Sequence, residues 1–175
     1  GSIGIGNVRY TTSGKCDDQS IVLGTQPMTA EANGIKVAVS FNGNIVNTQQ
    51  LKQELTGELE NFTCSCDSDL VCHKLLLELV KGKSLASAVK TVMESLDGAF
   101  SVVGLTGSGD FFAFKDPHGI KPLCAGHSAD GSLFAFSSET VSLDINGLVR
   151  DFELNPGELV IASKDGFERY QRIEN

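Results

Sequence analysis

Residues 84–115, SLASAVKTVMESLDGAFSVVGLTGSGDFFAFK, contain one helix pattern followed directly by two strand patterns. Apolar residues recur every three or four positions from Leu85 to Leu96, which is the period of an amphipathic helix. Ser84 stands at the expected N-cap, so the pattern predicts a helix over 84–96. Residues 99–105 and 110–115 then flank a Thr-Gly-Ser-Gly turn and predict a β-hairpin. This stretch therefore predicts helices and antiparallel strands in one fold.

The flanking sequence adds helices and strands of the same kinds. Asn47 can cap a helix over 47–56 with Gly57 behind it, and the apolar run 67–80 predicts another helix. Alternating polarity over 35–41 predicts a half-buried strand that stops at a turn, Asn42-Gly43-Asn44. Further elements are predicted as strands over 3–10, 21–23, 123–125, 133–136, 148–152, 159–161 and 167–172, and as a short helix over 138–144. We expect one α+β domain over residues 1–175.

Composition narrows the classes of function. The 175 residues are 41% hydrophobic and 21% charged, with a formal net charge of −8. An acidic chain without a basic stripe is a poor partner for nucleic acid or an anionic membrane, so neither is expected as a partner. The first residues lack a signal-peptide pattern, and five cysteines are an odd number. A reducing, cytoplasmic setting is therefore expected.

A cysteine-rich segment offers soft-metal ligands. Cys64, Cys66, Cys72 and His73 supply three thiols and an imidazole. Their spacing is not one of the usual zinc patterns, and adjacent residues on a helix point about 100° apart. We expect no metal and no other cofactor, and a thiol–metal protein remains the weakest of the functional alternatives.

Three polar clusters follow predicted strand ends or open a helix. Arg9, near Thr12, could grip an α-carboxylate through its planar guanidinium. Asn42 and the Gly43 N–H could stabilise an oxyanion, and Asp67 could take an α-ammonium group. Each also has a plainer interpretation: a surface ion pair for Arg9, a hairpin turn for Asn42-Gly43, and an ordinary helix cap for Asp67. Together they are suited to an amino acid with a side-chain carbonyl.

Eight motifs in chain order carry a resemblance to a known family. They are GIGNVRYTT (4–12), QP (26–27), NGNIVN (42–47), DSD (67–69), DGAFS (97–101), DPHGIKPL (116–123), SE (138–139) and PGE (156–158). Their succession resembles the glutaminase domain of class II glutamine amidotransferases. The run 116–123 looks most like the amidophosphoribosyltransferase group of that family.

The resemblance implies a fold and an activity. The fold is the N-terminal-nucleophile hydrolase sandwich, with two stacked antiparallel sheets and helices outside. The activity is hydrolysis of the glutamine side-chain amide, with ammonia passed to a phosphoribosyltransferase domain in purine biosynthesis. Glutamine and that domain are the implied partners, and a homo-oligomer is an open possibility.

The resemblance also assigns roles by matching motifs. Arg9 would bind the glutamine α-carboxylate, Thr12 would line the site, and Asp67 would bind the α-amino group. Asn42 and Gly43 would form the oxyanion hole. The run 116–123 is interpreted as structural, holding a tight connection between strands.

Some positions depart from the family pattern. Family members begin with a catalytic cysteine whose own α-amine acts as the base, whereas residue 1 here is Gly. Asn7 and Phe41 stand where the family usually has histidine. A chain or domain that supplies the missing N-terminal strands is one candidate partner, which the sequence leaves open. We expect that the isolated chain has no glutaminase activity. The alternative is a glutamine-binding or regulatory module that has kept the fold and lost turnover.

Overall fold

The computed structural model describes residues 3–8, 24–59, 62–64, 66–163 and 166–171. The helices are α1 (Thr48–Glu58), α2 (Asp67–Val80), α3 (Leu85–Ser95) and α4 (Thr140–Ile145). The strands are β1 (Met28–Ala32), β2 (Ile35–Ile45), β3 (Gly98–Thr106), β4 (Phe111–Lys115), β5 (Cys124–Ser128), β6 (Phe134–Ser137), β7 (Leu148–Glu153), β8 (Glu158–Ser163) and β9 (Gly166–Gln171).

Within the described residues, six strands form a large antiparallel sheet in the order β1-β2-β3-β4-β8-β9. The long strand β2 pairs along β3 from Val37 opposite Thr106 to Ile45 opposite Gly98. It pairs with β1 only as far as Val39, opposite Met28. The last six residues of β2 therefore extend past the end of β1.

The helices α2 and α3 cover one face of the large sheet. The α3 stripe of Ala88, Val89, Val92 and Met93 is buried in one cluster with sheet residues such as Phe112. The Ser84 hydroxyl accepts a hydrogen bond from the Ser87 N–H at 3.3 Å, as expected of an N-cap. The stripe faces the sheet as predicted, and each buried side chain of this size contributes about 1.5–3 kcal/mol.

The small sheet has the order β6-β5-β7 and lies on the other face of the large sheet. Phenylalanines fill the space between the sheets: the Phe111 and Phe136 rings are 5.0 Å apart, and the Phe134 and Phe167 rings are 5.3 Å apart. On the outer face of the small sheet, Leu143 of α4 is buried with Cys124 and neighbouring residues. The layers run helix, sheet, sheet, helix, which confirms the predicted four-layer sandwich.

The predicted turn at Asn42-Gly43-Asn44 is wrong, because β2 continues through these residues to Ile45. Asn42 pairs with Ser101 and Asn44 pairs with Ala99, so the ladder with β3 keeps the chain extended. A strand partner outweighs the local turn preference of Asn-Gly, since each added pair satisfies backbone groups that a turn would leave to solvent.

Other boundaries also differ from the sequence predictions. Residues 3–8 are not in a strand, and the rest of that predicted strand, like 21–23, lies outside the described residues. Gly57 lies inside α1 instead of behind it. Asn47 does not cap α1 with its side chain, because its amide group bonds the Ser95 carbonyl and the Asp97 N–H instead. That residue therefore joins the start of α1 to the end of α3.

The run 116–123 connects β4 of the large sheet to β5 of the small sheet. Asp116 is fully buried, and its carboxylate accepts hydrogen bonds from the N–H groups of Phe100, His118 and Gly119 at 2.8–2.9 Å. Gly119 has a φ of 66°, and an added Cβ would lie 2.7 Å from the Pro156 ring. The geometry supports the structural interpretation of this motif.

No helix among the described residues combines the length and apolar character needed to cross a membrane. That residues 1–175 form one domain stays a prediction.

Candidate active site

The structure describes three of the five predicted site residues. Asn42 and Gly43 lie near the end of β2, and Asp67 is the first residue of α2. Asp67 Oδ2 accepts a hydrogen bond from the Ile45 N–H at 2.9 Å, so the start of α2 is fastened to the end of β2. This bond brings Asp67 within two residues of Gly43 along the strand. Arg9 and Thr12 lie outside the described residues.

Gly43 sits in a close approach of two backbones. It pairs with Phe100, and an added Cβ would lie 2.7 Å from Phe100 Cα and closer still to the Ala99 carbonyl oxygen. Real Cβ atoms do not tolerate such distances, so a residue without a side chain is required here. The requirement is spatial, because the crowding comes from neighbouring backbone.

The Gly43 N–H faces the edge of β2 that no described strand covers. Both backbone groups of Phe100 bond with Asp116 on the β4 side, since the Phe100 N–H donates to its carboxylate and the Phe100 carbonyl accepts from its N–H. Gly43 and Phe100 therefore form a non-hydrogen-bonded pair, whose N–H groups point away from each other. The Gly43 N–H therefore points to the β1 side of β2, at a position beyond the last β1–β2 pair, Met28 with Val39.

Side chains occupy the N–H groups on either side of Gly43 along this edge. The Phe41 N–H donates to Gln26 Oε1 at 2.6 Å, and the Ile45 N–H donates to Asp67 Oδ2. Between them, no residue in the described part of the chain accepts from the Gly43 N–H. The edge thus presents one open donor between two occupied ones, and a backbone N–H held in this way is able to stabilise an oxyanion.

Asn42 contributes the other predicted donor from the opposite face of β2. It is half-buried and lies across from Ser101, while its neighbours Phe41 and Ile45 point into the core beneath the helices. By the alternation of a strand, Asn42 faces the side of the large sheet that carries the small sheet. The Asn42 amide and the Gly43 N–H are therefore adjacent along β2, with the amide on one face of the strand and the N–H at its edge.

Asp67 keeps one carboxylate oxygen without a partner among the described residues. It lies in the first turn of α2, and no described donor contacts its second oxygen, Oδ1. One oxygen thus anchors the residue, and the other is able to accept a hydrogen bond from a cationic ligand.

Gln26 is the site residue to which the sequence assigned no role. Its side-chain oxygen accepts hydrogen bonds from the Phe41 N–H and, at 3.4 Å, from the Asn7 amide nitrogen. Asn7 and Phe41, the two positions that depart from the family pattern, therefore share one hydrogen-bond acceptor. The Gln-Pro motif signalled this position, but a bond across 15 residues has no local signature.

The thiols and His73 do not assemble into a metal centre. Cys72 is buried, its Sγ lies 3.5 Å from the Met28 carbonyl, and burial raises the pKa of its thiol to about 12. Burial likewise raises the pKa of Cys64 to about 11. His73 bonds Asp69 instead, and that hydrogen bond raises the pKa of the imidazole. Within the described ranges, no group of three or more metal-ligating side chains converges.

A depression lies on the small sheet, away from the predicted site. Residues around the start of β5 and the start of α4 line it, among them Leu123, Glu139 and Val141. None of the predicted site residues lines this depression.

Comparison with known proteins identifies the family. The family model for the glutamine amidotransferase domain matches residues 16–144. The amidophosphoribosyltransferase of Methanothermobacter thermautotrophicus is 37% identical over 160 residues, covering 91% of this chain and 32% of that protein. The amidophosphoribosyltransferase of Synechococcus elongatus is 33% identical, covering 99% of this chain and 35% of that protein.

Solved structures agree in fold. Glutamine phosphoribosylpyrophosphate amidotransferase from B. subtilis, solved with ADP and GMP, aligns with a TM-score of 0.81 at 28% identity, covering 97% of this chain and 34% of that chain. The chain thus spans about a third of the length of these relatives.

The four layers shared with these structures define an N-terminal-nucleophile hydrolase fold. Within that class, the chain belongs to the glutamine amidotransferase domain family, and it is similar to the amidophosphoribosyltransferases.

Proposed function

We propose that the end of β2 and the start of α2 bind glutamine for hydrolysis of its side-chain amide. The observation that carries the proposal is the open Gly43 N–H, flanked by the Gln26 and Asp67 bonds and close to a carboxylate oxygen. In this assignment Asp67 Oδ1 takes the α-ammonium group. Asn42 and Gly43 stabilise the oxyanion, while Arg9 and Thr12 hold the α-carboxylate end.

The proposed chemistry is transfer through a thioester. A cysteine thiolate adds to the side-chain carbonyl carbon, and the negative charge that develops on oxygen is stabilised by the Gly43 N–H and the Asn42 amide. The C–N bond breaks, the nitrogen takes a proton and ammonia leaves. Water then cleaves the thioester to glutamate and restores the thiol.

We further propose that ammonia passes to a phosphoribosyltransferase domain in purine biosynthesis, as the similarity to amidophosphoribosyltransferases suggests. A cytoplasmic setting is proposed as well, supported by the reduced thiols of Cys64, Cys72 and Cys124.

We also propose that the 175-residue chain alone does not turn glutamine over, because the described thiols are poorly placed. Cys72 is fully buried in the core, and Cys124 lies in the small sheet. Cys64 has a raised pKa, and Cys66 Sγ lies 3.0 Å from the Ser68 hydroxyl. These positions also support the alternative, a glutamine-binding module without turnover. Cys16, the substitute suggested by the sequence, lies outside the described residues.

The test is calorimetric binding of L-glutamine to the chain, run beside an assay for glutamate release. Asp67→Asn keeps an oxygen for the Ile45 N–H but removes the charge, so we expect binding to weaken about ten-fold or more with little loss of stability. Asp144→Asn, which removes one exposed charge on α4, is the matched control. Equal affinity in both variants would refute the assignment of Asp67.

The glutamate-release assay tests the proposed inactivity of the chain. Binding without glutamate release agrees both with a glutaminase domain that needs a thiol from elsewhere and with a binding module without turnover. Glutamate release that disappears in Cys16→Ser would contradict the proposed inactivity.

A further inference from the structure

The edge of β2 that no described strand covers is held by a side chain that comes from before β1. Gln26 precedes the first residue of β1 by two positions, and its Oε1 accepts from the Phe41 N–H where a strand carbonyl would otherwise do so. The side chain therefore continues the ladder by one bond beyond the end of β1. The next N–H along the same edge is that of Gly43.

The orientation of the Gln26 amide is determined by its neighbours. The Phe41 N–H can only donate, so the oxygen of the amide must face it. The Asn7 amide nitrogen approaches the same oxygen at 3.4 Å. Two donors on one acceptor hold the group in place.

Movement at Phe41 would be transmitted to Gly43. The two residues are about 6–7 Å apart along one strand. The Phe41 ring is buried and stacks on the Phe100 ring, with centroids 6.2 Å apart, and Phe100 is the residue packed against Gly43. A shift of the Phe41 backbone therefore cannot occur without moving the contact that positions Gly43.

We infer that Gln26 is a positioning residue for glutamine hydrolysis: its side-chain carbonyl holds the β2 edge so that the Gly43 N–H meets the developing oxyanion. The inference rests on the proposed function. Gln26 acts through Phe41 and does not touch the substrate in this account. Asp67 fixes the far side of Gly43 through Ile45, so the open donor is held from both sides.

The kinetic test uses the protein as its gene encodes it, with Gln26→Leu and Gln26→Glu. Leucine removes the acceptor, whereas glutamate retains an oxygen at the same reach. Since misplacing an oxyanion donor affects the transition state most, Gln26→Leu should lower kcat about ten- to a hundred-fold and change KM less than about two-fold. Gln26→Glu should recover kcat to within a few-fold. Gln53→Leu, on the exposed surface of α1, is the matched control.

Amide hydrogen exchange on the 175-residue chain tests the same inference without turnover. In Gln26→Leu, the Phe41 amide should exchange at least about ten-fold faster, while the Ile45 amide, held by Asp67, keeps its rate. Added glutamine should protect the Gly43 amide in the unaltered chain and protect it less in Gln26→Leu.

The outcomes separate the inference from the proposed function. Unchanged Phe41 exchange in Gln26→Leu, or a loss of thermal stability with kcat intact, would overturn the role of Gln26. An unaltered protein that neither binds nor hydrolyses glutamine would refute the proposed function, and the positioning role would fall with it. A fall in kcat together with faster Phe41 exchange supports both.

Discussion

At Gly43 an added Cβ would lie 2.7 Å from Phe100 Cα, and the neighbouring carbonyl of Ala99 is nearer still. Relief would require β2 and β3 to separate at the point where the open N–H is presented. Phe100 is fully buried between Gly43 and Asp116, so it has little freedom to yield. At the residue scale, the site depends on the absence of one side chain.

Gly43→Ala should therefore destabilise the chain by about 1–3 kcal/mol in urea unfolding, the usual cost of overpacking, and should abolish glutamine binding. The matched control is Gly57→Ala. Gly57 lies inside α1 with no atom within 4 Å of an added Cβ, so alanine there should stabilise by about 0.5–1 kcal/mol. Equal effects at the two positions would show that crowding does not determine the requirement at Gly43.

At the scale of elements, helix α2 contains an ion pair between His73 and Asp69, which are one helical turn apart. His73 Nδ1 lies 3.0 Å from Asp69 Oδ1, both side chains are largely buried, and the hydrogen bond raises the pKa of His73. The Phe62 ring packs edge-on against the imidazole at 5.0 Å. Asp69 lies in the same turn of α2 as Asp67, and the pair ties that first turn to the next one.

Because the folded-state pKa of His73 is raised, the stabilisation is fully present below the unfolded value of about 6.5 and is lost as pH rises through the folded value. We expect the difference in unfolding free energy between the unaltered chain and His73→Gln to be larger at pH 5 than at pH 8.5. In an Asp69→Asn background the larger difference at pH 5 should disappear, because the carboxylate that raises the pKa of His73 is gone while the opposing effect of burial remains. A difference that grows with pH in the chain with Asp69 intact would contradict the assignment of the pair.

The elements differ in how well sequence predicts them. The α3 stripe from Leu85 to Leu96 was predictable because its helical period is local and its burial follows from that period. The end of β2 was not, because the turn preference of Asn42-Gly43 is outweighed by pairing with Ser101 and Phe100, far away in sequence. β1 was missed because Met-Thr-Ala-Glu-Ala has little β preference.

The candidate site shows the same division between local and distant information. The charge of Asp67 and its position at a helix start are local features, and they predicted a cation site. The bonds from Phe41 to Gln26 and from Ile45 to Asp67 cross 15 and 22 residues, so no local pattern reveals them. Residue type supplied the candidate groups, while only the structure reveals how their neighbours are occupied.

At the scale of the whole molecule, Asp116 joins the two sheets. Its carboxylate accepts hydrogen bonds from N–H groups of β3 and of the segment leading to β5. Its backbone carbonyl accepts from the N–H groups of Gly119 and Gly157. Phe100, which packs against Gly43, is one of the donors. Phe100 therefore takes part both in the connection between the two sheets and in the backbone contact at Gly43.

Asp116→Asn should cost about 1–3 kcal/mol of unfolding free energy, because the amide NH₂ faces a buried N–H donor in either orientation. It should also reduce glutamine affinity through Phe100. Asp144→Asn on the exposed surface of α4 should change neither. Full stability in Asp116→Asn would show that the carboxylate is not needed to hold the connection.

Amide NMR during an L-glutamine titration of the chain is the most direct test that the end of β2 and the start of α2 bind glutamine. We expect saturable shifts for the Asn42, Gly43 and Asp67 amides, and the same shifts in Asp67→Asn should need at least about ten-fold more glutamine. Absence of any saturable shift, or shifts confined to the depression around Glu139 and Val141 on the small sheet, would contradict it.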